Sequence, residues 1–161
     1  MPYLYAVIER NGVLAGVVGD PPGSLWDHEA VVEAVMQDGA VLPMRFGSVV
    51  DDVEAFLASR RASLVAALSR VRGAVELGVR PAADDRDAPS SGTEYLMRRV
   101  AFDRVHVPLS SLARASARRV HGFAYLVDAG AVDAFRSRVA ALDPGLVCTG
   151  PWPPYSFVED A

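Results

Sequence analysis

The alternation of apolar and polar positions divides the chain into short strands and amphipathic helices. Pro2–Ile8 (PYLYAVI) is rich in aromatic and branched residues and predicts a buried strand. An Asn-Gly turn then predicts a second short strand. Over Leu25–Gln37 the apolar residues share one face, which predicts a helix that ends at Asp38-Gly39. Ala40–Phe46 (AVLPMRF) predicts another strand, and the proline within it, Pro43, favours a sheet edge or a bulge.

A long apolar stripe follows and predicts the longest helix of the chain. Its members recur at spacings near 3.6 residues, and they are Val53, Phe56, Leu57, Leu64, Leu68 and Val71. Asp51 and Asp52 lie at its start, where negative charge meets the positive end of the helix dipole. Gly73 ends this helix, and Ala74–Arg80 alternates as a strand does.

The segment 81–92 (PAADDRDAPSSG) separates the chain into two halves. It is polar, rich in Pro, Asp and Ser, and without apolar periodicity, which is typical of a linker. Beyond it we expect a helix over Thr93–Arg104 and a second helix after Pro108, a residue that suits a helix start. Three further elements are predicted, namely a strand over His121–Asp128, a helix over residues 132–142 and a strand over residues 145–150.

Both halves mix strands with amphipathic helices, so we expect an α+β protein of two small domains. Residues 1–80 form the first domain, which can be read as ferredoxin-like, with helices on one face of a small sheet. Residues 93–149 form a second, small α+β domain, and residues 150–161 form a C-terminal tail. The length of 161 residues, 51% of them hydrophobic, is enough to bury a real core.

Composition argues against several classes of protein. No apolar run approaches the roughly 18 residues that a membrane span needs, and MPYLYAVIER lacks the basic start of a signal peptide. The formal net charge of −4 disfavours nucleic acid as the main partner. The single cysteine, Cys148, allows no internal disulfide and suits a reducing cytoplasm.

Patterns that would indicate catalysis or cofactor binding are not found in the sequence. His28, His106 and His121 are far apart, and a surface or core-edge position is favoured over metal binding for each. Cys148 lies in an apolar strand, where a buried thiol is unreactive. Neither phosphate-loop pattern occurs, and no G-x-S-x-G is present. We therefore expect no enzyme and no cofactor.

Two arginine pairs raise the alternative of nucleic-acid binding. Arg98-Arg99 and Arg118-Arg119 are able to form a basic face, and Tyr3, Tyr5 and Phe123 are possible stacking residues. The strand pattern of RNA-binding sheets, a basic residue with glycine and alternating aromatics, is not found. We therefore favour solvated helix faces for the arginines and core positions for the aromatic residues.

Two stretches remain without a structural explanation. In LPMRFGSVV, Leu42–Val50, Arg45 is a charge between apolar neighbours; it is either a buried pair-forming residue, which we favour, or a charge presented to a partner. The tail GPWPPYSFV, Gly150–Val158, has three prolines, which keep it out of a central strand and bias it towards polyproline-like geometry. Its three aromatic rings either latch onto the chain's own domains, which we favour, or contact another chain.

The tail GPWPPYSFV resembles the C-terminal signature of gas vesicle accessory proteins of the F/L type. Other stretches fit the same family pattern in the same order and span nearly the whole chain. They are YLYAV near the N-terminus, HEAVVEAV from His28, VLPMRFGSV from Val41, the long helix into VELGVR, EYLMRR from Glu94 and FAYLVD from Phe123.

This resemblance implies a role in assembly and not in catalysis. Such proteins are minor components or assembly factors of gas vesicles, the cytoplasmic protein shells that give microbes buoyancy. The family is thought to bind the hydrophobic shell subunit and to limit its aggregation during vesicle nucleation and growth. The resemblance also implies two α+β domains, the first modified ferredoxin-like, with the tail packed on the body.

The chain departs from the family pattern because it is shortened between Val18 and Trp26 and between Tyr95 and Val120. One alternative is therefore that it binds only other accessory proteins. Another is a small ligand-binding or enzymatic ferredoxin-like domain.

A protein that protects a hydrophobic subunit must cover its apolar face or its sheet edge. A free edge near Pro43 would allow this by strand addition. The predicted residues for partner binding or for the tail latch are Arg45, Phe46, Trp152, Tyr155 and Phe157. The expected partners are the shell protein and other accessory proteins, without nucleic acid or membrane.

Overall fold

Strands and helices mix in both parts of the computed structural model, which describes residues 1–82 and 91–158. The first unit comprises Met1–Val75 together with the residues from Trp152 onward, and the second comprises Glu76–Pro151. The predicted α+β class is confirmed. The predicted linker, residues 81–92, falls largely on residues 83–90, which lie outside the described residues.

The first unit is built on a three-stranded antiparallel sheet with the strand order β2-β1-β3. Asn11 and Gly12, with φ of 51° and 77°, form the predicted Asn-Gly turn between the first two strands, because both positions require a left-handed backbone. The elements of this unit are β1 (Tyr3–Arg10), β2 (Val13–Gly19), α1 (Leu25–Met36), β3 (Val41–Pro43), α2 (Val53–Ser59) and α3 (Arg61–Val71). The ferredoxin-like character of this unit stays a prediction.

The predicted long helix over residues 53–71 is wrong, because the structure divides it at Arg60. The φ and ψ of Arg60, −115° and 13°, leave the helical region and separate α2 from α3. The stripe is half-buried along α2 and fully buried at Leu64, Leu68 and Val71 along α3, so the two helices pack to different depths. The start was predicted correctly, since the carboxylate of Asp52 caps α2 by accepting a hydrogen bond from the N–H of Ala55 at 3.0 Å.

The second unit is built on a four-stranded sheet with the order β5-β6-β4-β7. One cluster of buried side chains forms its core: Leu77, Val79, Leu109, Phe123, Tyr125, Val127, Phe135 and Val139. The elements are β4 (Ala74–Pro81), α4 (Gly92–Ser110), β5 (Ala115–Arg119), β6 (Gly122–Asp128), α5 (Val132–Leu142) and β7 (Leu146–Trp152), with a 3-10 turn at Ala129–Ala131.

The first unit ends earlier than the predicted domain of residues 1–80. The strand expected over Ala74–Arg80 is present as β4, but it lies between β6 and β7 in the second sheet. The unit boundary therefore falls between Val75 and Glu76. The alternation of apolar and polar residues along a strand shows which side chains are buried, but it does not show which sheet the strand joins.

The expected second helix after Pro108 is wrong. α4 continues through Pro108 to Ser110, since the burial of Leu109 in the second core holds its last turn in place. The next element is β5, which pairs antiparallel with β6. Its sequence, ASARR, has weak strand propensity, so tertiary pairing and not local preference forms this edge strand.

The tail is extended through Trp152, as the end of a strand, and then turns. β7 extends as an edge strand through Trp152, and a 3-10 turn follows at Tyr155–Phe157. The N–H of Phe157 donates to the carbonyl of Pro154 at 3.1 Å, which closes that turn. Pro153 and Pro154 are buried, so the described part of the tail packs on the chain's own first unit.

Candidate functional site

The backbone after β3 leaves the sheet for residues 45–47 and then returns to it. Before the loop, the N–H of Met44 donates to the carbonyl of Tyr5 at 2.8 Å. After the loop, the N–H of Leu4 donates to the carbonyl of Ser48 at 2.9 Å. The N–H of Ser48 also donates to the carbonyl of the first loop residue at 3.1 Å. The three residues therefore protrude from a strand edge that stays paired on both sides, as in a β-bulge.

A buried chain of hydrogen bonds holds both ends of this loop. The N–H of Gly47 donates to the Tyr3 hydroxyl at 2.9 Å, and that hydroxyl lies 2.9 Å from Nδ1 of His28. Nε2 of His28 lies 2.9 Å from the carbonyl oxygen of Met44. Because a carbonyl only accepts, Nε2 carries a proton and donates to Met44, and in that tautomer Nδ1 accepts from the Tyr3 hydroxyl. Two side chains thus fix the start and the end of the loop.

His28 is in the core of the first unit, so its predicted surface or core-edge position is wrong. Its exposed fraction is 1%, and the ring of Tyr5 stacks on it with 5.3 Å between centroids. Ser24 caps α1 by accepting from the N–H of Asp27 at 3.2 Å, which sets the turn that points His28 inwards. A signal was present in the sequence, since His28 and Val32 are four residues apart on the apolar face of the helix.

Two of the predicted site residues border the same imidazole. The Phe46 ring meets the His28 ring edge-on, with 6.0 Å between centroids, and it is 50% exposed. The Tyr155 ring lies 6.5 Å from His28. Gly47 follows with φ of 91°, a backbone conformation that glycine adopts without strain and that turns the chain back to β1. The loop thus exposes the Phe46 ring to solvent, while the buried Tyr3 and His28 side chains beneath it hold the loop in place.

The other predicted residues divide into exposed and buried ones. Arg45 is exposed, so its predicted buried position is wrong, and presentation to a partner stays a prediction. Trp152 is 43% exposed. Tyr155 and Phe157 are partly buried in the first unit. Arg45, Phe46 and Trp152 are thus exposed and the last two rings are partly buried, while their roles in latching or partner binding stay predictions.

The Tyr155 hydroxyl is buried and makes no hydrogen bond with any described residue. Its ring packs against the core cluster of Tyr3, Tyr5, Ala6, Ile8, Val32 and Val41. Burial raises the pKa of this phenol, and the nearby carboxylates of Glu29 and Glu33 raise it further. The hydroxyl is therefore neutral at physiological pH, and the tail is held by ring packing.

The predicted edge near Pro43 is confirmed, since β3 is the outer strand beside β1. Met44 bonds towards β1, and backbone groups alternate in direction along an antiparallel strand, so the backbone of Pro43 faces away from the sheet. Its missing N–H therefore removes no bond to β1. It also removes a donor from the free edge, which leaves a partner strand little to pair with.

Neither reactive-group alternative gains support from the described residues. The Cys148 thiol is partly buried, and burial raises its pKa although the Arg136 guanidinium opposes the shift. His106 stacks on Phe123 at 4.0 Å, and its Nδ1 lies 2.9 Å from the Tyr125 hydroxyl, a core-edge position as predicted. Within residues 1–82 and 91–158, no three His, Cys, Asp or Glu side chains are grouped to hold a metal ion.

Comparison with known proteins gives the family. The model of the family described as gas vesicle synthesis protein GvpL/GvpF matches residues 10–121 and 96–159. The chain belongs to the GvpL/GvpF family. That membership makes it a gas vesicle accessory protein, and the predicted localisation at gas vesicles in the cytoplasm follows from it.

The chain is similar to one F protein and one L protein of this family. The chain is 31% identical over 150 residues to gas vesicle protein F2 of Halobacterium salinarum, and the match covers 82% of the chain. It is 32% identical over 179 residues to gas vesicle protein L of a Streptomyces species, covering 81% of the chain. Each match spans 66% of the relative's own length. An alignment of 179 positions exceeds the 161 residues of this chain, so the Streptomyces protein has internal segments that this chain lacks.

Two crystal structures share the fold. GvpF from Microcystis aeruginosa superposes with a TM-score of 0.72 over 98% of both chains, at 18% identity. GvpF from an Anabaena species gives a TM-score of 0.69 over 99% of this chain and 98% of that one, also at 18% identity. Among the described helices, none combines the length and apolar character needed to cross a membrane.

Proposed function

We propose that this chain is an assembly or minor structural protein that binds the hydrophobic gas vesicle shell subunit and limits its aggregation during vesicle nucleation and growth. The family supports the gas vesicle role. The observation that supports binding of an apolar partner is the Phe46 ring, half exposed on a loop whose two ends are fixed from the core. An exposed aromatic ring held in one position is the kind of side chain that anchors protein interfaces.

The fixed loop lowers the entropic cost of binding. A mobile loop loses conformational freedom when a partner orders it, and this loss subtracts from affinity. Here the hydrogen bonds from Gly47 to Tyr3 and from His28 to Met44 already hold the loop in one conformation. The Phe46 ring is therefore presented ready to contact an apolar surface, and Arg45 beside it adds a charge at the rim.

The site is better suited to covering an apolar face of the shell subunit than to pairing a strand of that subunit with the edge of β3. The free edge of β3 is only three residues long and includes Pro43, which has no N–H to donate. Side-chain contact through Phe46, with Trp152 as a second exposed ring of the first unit, needs no such pairing. A shell subunit whose apolar face is covered in this way cannot associate with another shell subunit through that face.

The test is co-expression of the shell subunit with this chain, followed by co-purification of soluble complex. Phe46→Ala and Trp152→Ala are the site variants, and Val107→Ala, which removes a 69% exposed apolar side chain of the second unit outside the α4 cavity, is the control. We expect Phe46→Ala to lower the amount of captured subunit about tenfold, the effect of losing an interface anchor, and the control to leave it unchanged. Single substitutions are preferable to removing residues 150–161, because that deletion takes Tyr155 out of the first core.

The outcomes separate the alternatives. If folded Phe46→Ala and Trp152→Ala variants capture as much shell subunit as the parent chain, neither ring belongs to the binding site. If the parent chain captures other accessory proteins and no shell subunit, the alternative of binding only accessory proteins holds instead.

A further inference from the structure

A cavity of about 570 Å³ opens in the second unit between α4 and the turn that joins β5 to β6. α4 contributes Arg98 and Arg99, and the end of β5 contributes Arg118 and Arg119. The sequence pattern predicts solvated helix faces for these two arginine pairs, and for Arg118 and Arg119 that prediction is wrong because they lie on a strand. The structure brings them to one cavity because residues 115–119 form a strand that pairs with β6 instead of a helix.

The lining carries an excess of positive charge in a chain whose formal net charge is −4. Its four arginines are accompanied by two aspartates. The carboxylate of Asp143 accepts a hydrogen bond from the N–H of Gly145 at 2.7 Å. The carboxylate of Asp103 lies 3.6 Å from the guanidinium of Arg118, which is longer than a hydrogen bond. Among the described lining residues, the four arginines therefore outnumber the two acids.

The arginines differ in the partners they already have. Arg98 bonds to Glu94 one helical turn earlier at 2.5 Å. Arg118 covers the ring of Phe123 with 5.0 Å to the centroid. Arg99 makes no ion pair with any residue in the described part of the chain. An incoming carboxylate therefore displaces no described ion-pair partner at Arg99.

The rest of the cavity is apolar. Its lining includes Phe102 and Phe123, which stack with 5.2 Å between centroids. Tyr95 and Val120, 52% and 93% exposed, also line it. A ligand that carried only negative charge would leave these side chains uncovered. The complementary ligand has apolar groups beside its acidic ones.

The open shape favours a segment of a protein over a small molecule. Pockets for small molecules bury about 70–90% of their ligand. In the lining of this cavity the side chains of Arg98 and Arg118 remain 46% and 58% exposed. A peptide segment is shielded on its outer side by the protein that carries it, so an open basic cavity suits it.

We propose that this cavity docks an acidic segment of a partner protein in which Asp or Glu side chains alternate with apolar ones. The site lies entirely in the second unit. It is independent of the Phe46 surface on the first unit, so either proposal can fail without the other. The chain would then hold two partners, or two parts of one partner, through chemically different surfaces.

The test uses the full chain and a fluorescent octapeptide in which Asp and Glu alternate with Leu and Gly, followed by anisotropy. The control peptide has Asn and Gln in place of the acids. Arg99→Glu is the site variant. Arg104→Glu, on the same helix and outside the cavity lining, makes the same change in net charge and is the control variant. Circular dichroism verifies that both variants fold.

We expect the acidic peptide to bind, the neutral one not to bind, and the affinity to fall as salt is added. Arg99→Glu is expected to weaken binding about tenfold or more, the effect of losing a charge-assisted bond, and Arg104→Glu to change it by less than about twofold. Equal losses in the two variants would overturn the proposal, since they would indicate general electrostatics. So would failure of the parent chain to bind, or displacement of the peptide by equimolar inorganic phosphate, which would indicate a small-anion site.

Discussion

The hydroxyl of Tyr3 lies 2.9 Å from Nδ1 of His28, and this pair joins the first strand to the first helix beneath the Arg45–Gly47 loop. Both residues are buried, so each polar atom depends on the other for its hydrogen bond. Loss of one partner leaves the other without water to replace it. The loop conformation is thus set by residues more than ten positions away in sequence.

Tyr3→Phe is expected to lower the free energy of unfolding by about 1–3 kcal/mol, because it leaves the N–H of Gly47 and Nδ1 of His28 without partners. Tyr5→Phe removes a single bond, from its hydroxyl to the carbonyl of Asp20, and is expected to have a smaller effect. Urea unfolding of both variants measures the difference. Equal losses would show that the Tyr3–His28 pair has no special role.

Tyr155→Phe is expected to change stability in the opposite direction. The Tyr155 hydroxyl is buried without a partner among the described residues, so its removal spares a desolvation penalty of about 1 kcal/mol. The ring remains in place against the core cluster. A higher urea midpoint with an unchanged slope is the expected result, and a lower midpoint would mean that the hydroxyl is satisfied in solution.

Gly47→Ala is expected to destabilise the chain by about 1 kcal/mol through backbone strain alone. The φ of Gly47 is 91°, and an added Cβ would meet no atom within 4 Å. Gly92→Ala is the matched control, because Gly92 also has open space around it and lies at the start of α4 without a positive φ. That control is expected to be neutral or slightly stabilising, as Ala favours a helix. Thermal melts of both variants distinguish strain from crowding.

Cys148 is expected to react slowly with a thiol reagent at neutral pH in the folded chain. Burial raises the pKa of its thiol, so the reactive thiolate fraction is small and grows as the pH rises. Arg136→Gln removes the charge that lowers this pKa and is expected to slow the reaction further. Arg138→Gln, also on α5, is the control. Fast labelling of the folded parent chain at pH 7 would contradict the argument.

Local patterns predicted most elements of the fold. The strand at Tyr3–Arg10, the Asn-Gly turn and the helix at Leu25–Met36 were predicted correctly, since apolar periodicity and turn chemistry agree there. β5 was missed because Ala115–Arg119 is polar and gains its strand conformation from pairing with β6. The interruption at Arg60 was missed because the apolar stripe continues across it.

The candidate site could be predicted only in part. Arg45 was noticed as a charge between apolar neighbours but was favoured as buried, whereas the structure places both Arg45 and Phe46 on the surface. The role of His28 was missed, since its partners Tyr3 and Met44 are distant in sequence and meet only through the sheet register. The convergence of Arg99 and Arg118 also depends on a tertiary pairing that no local pattern shows.

The return of the chain to the first unit at Trp152 has a consequence for its biosynthesis. Ribosomes make proteins from the N-terminus, so residues 76–151, the whole second unit, emerge before the ring of Tyr155 that completes the first core. During translation, the core cluster around Tyr3 and Tyr5 therefore lacks the Tyr155 ring until the tail has been made. A nascent chain stalled before Trp152 should be more sensitive to protease in its first unit than the released protein.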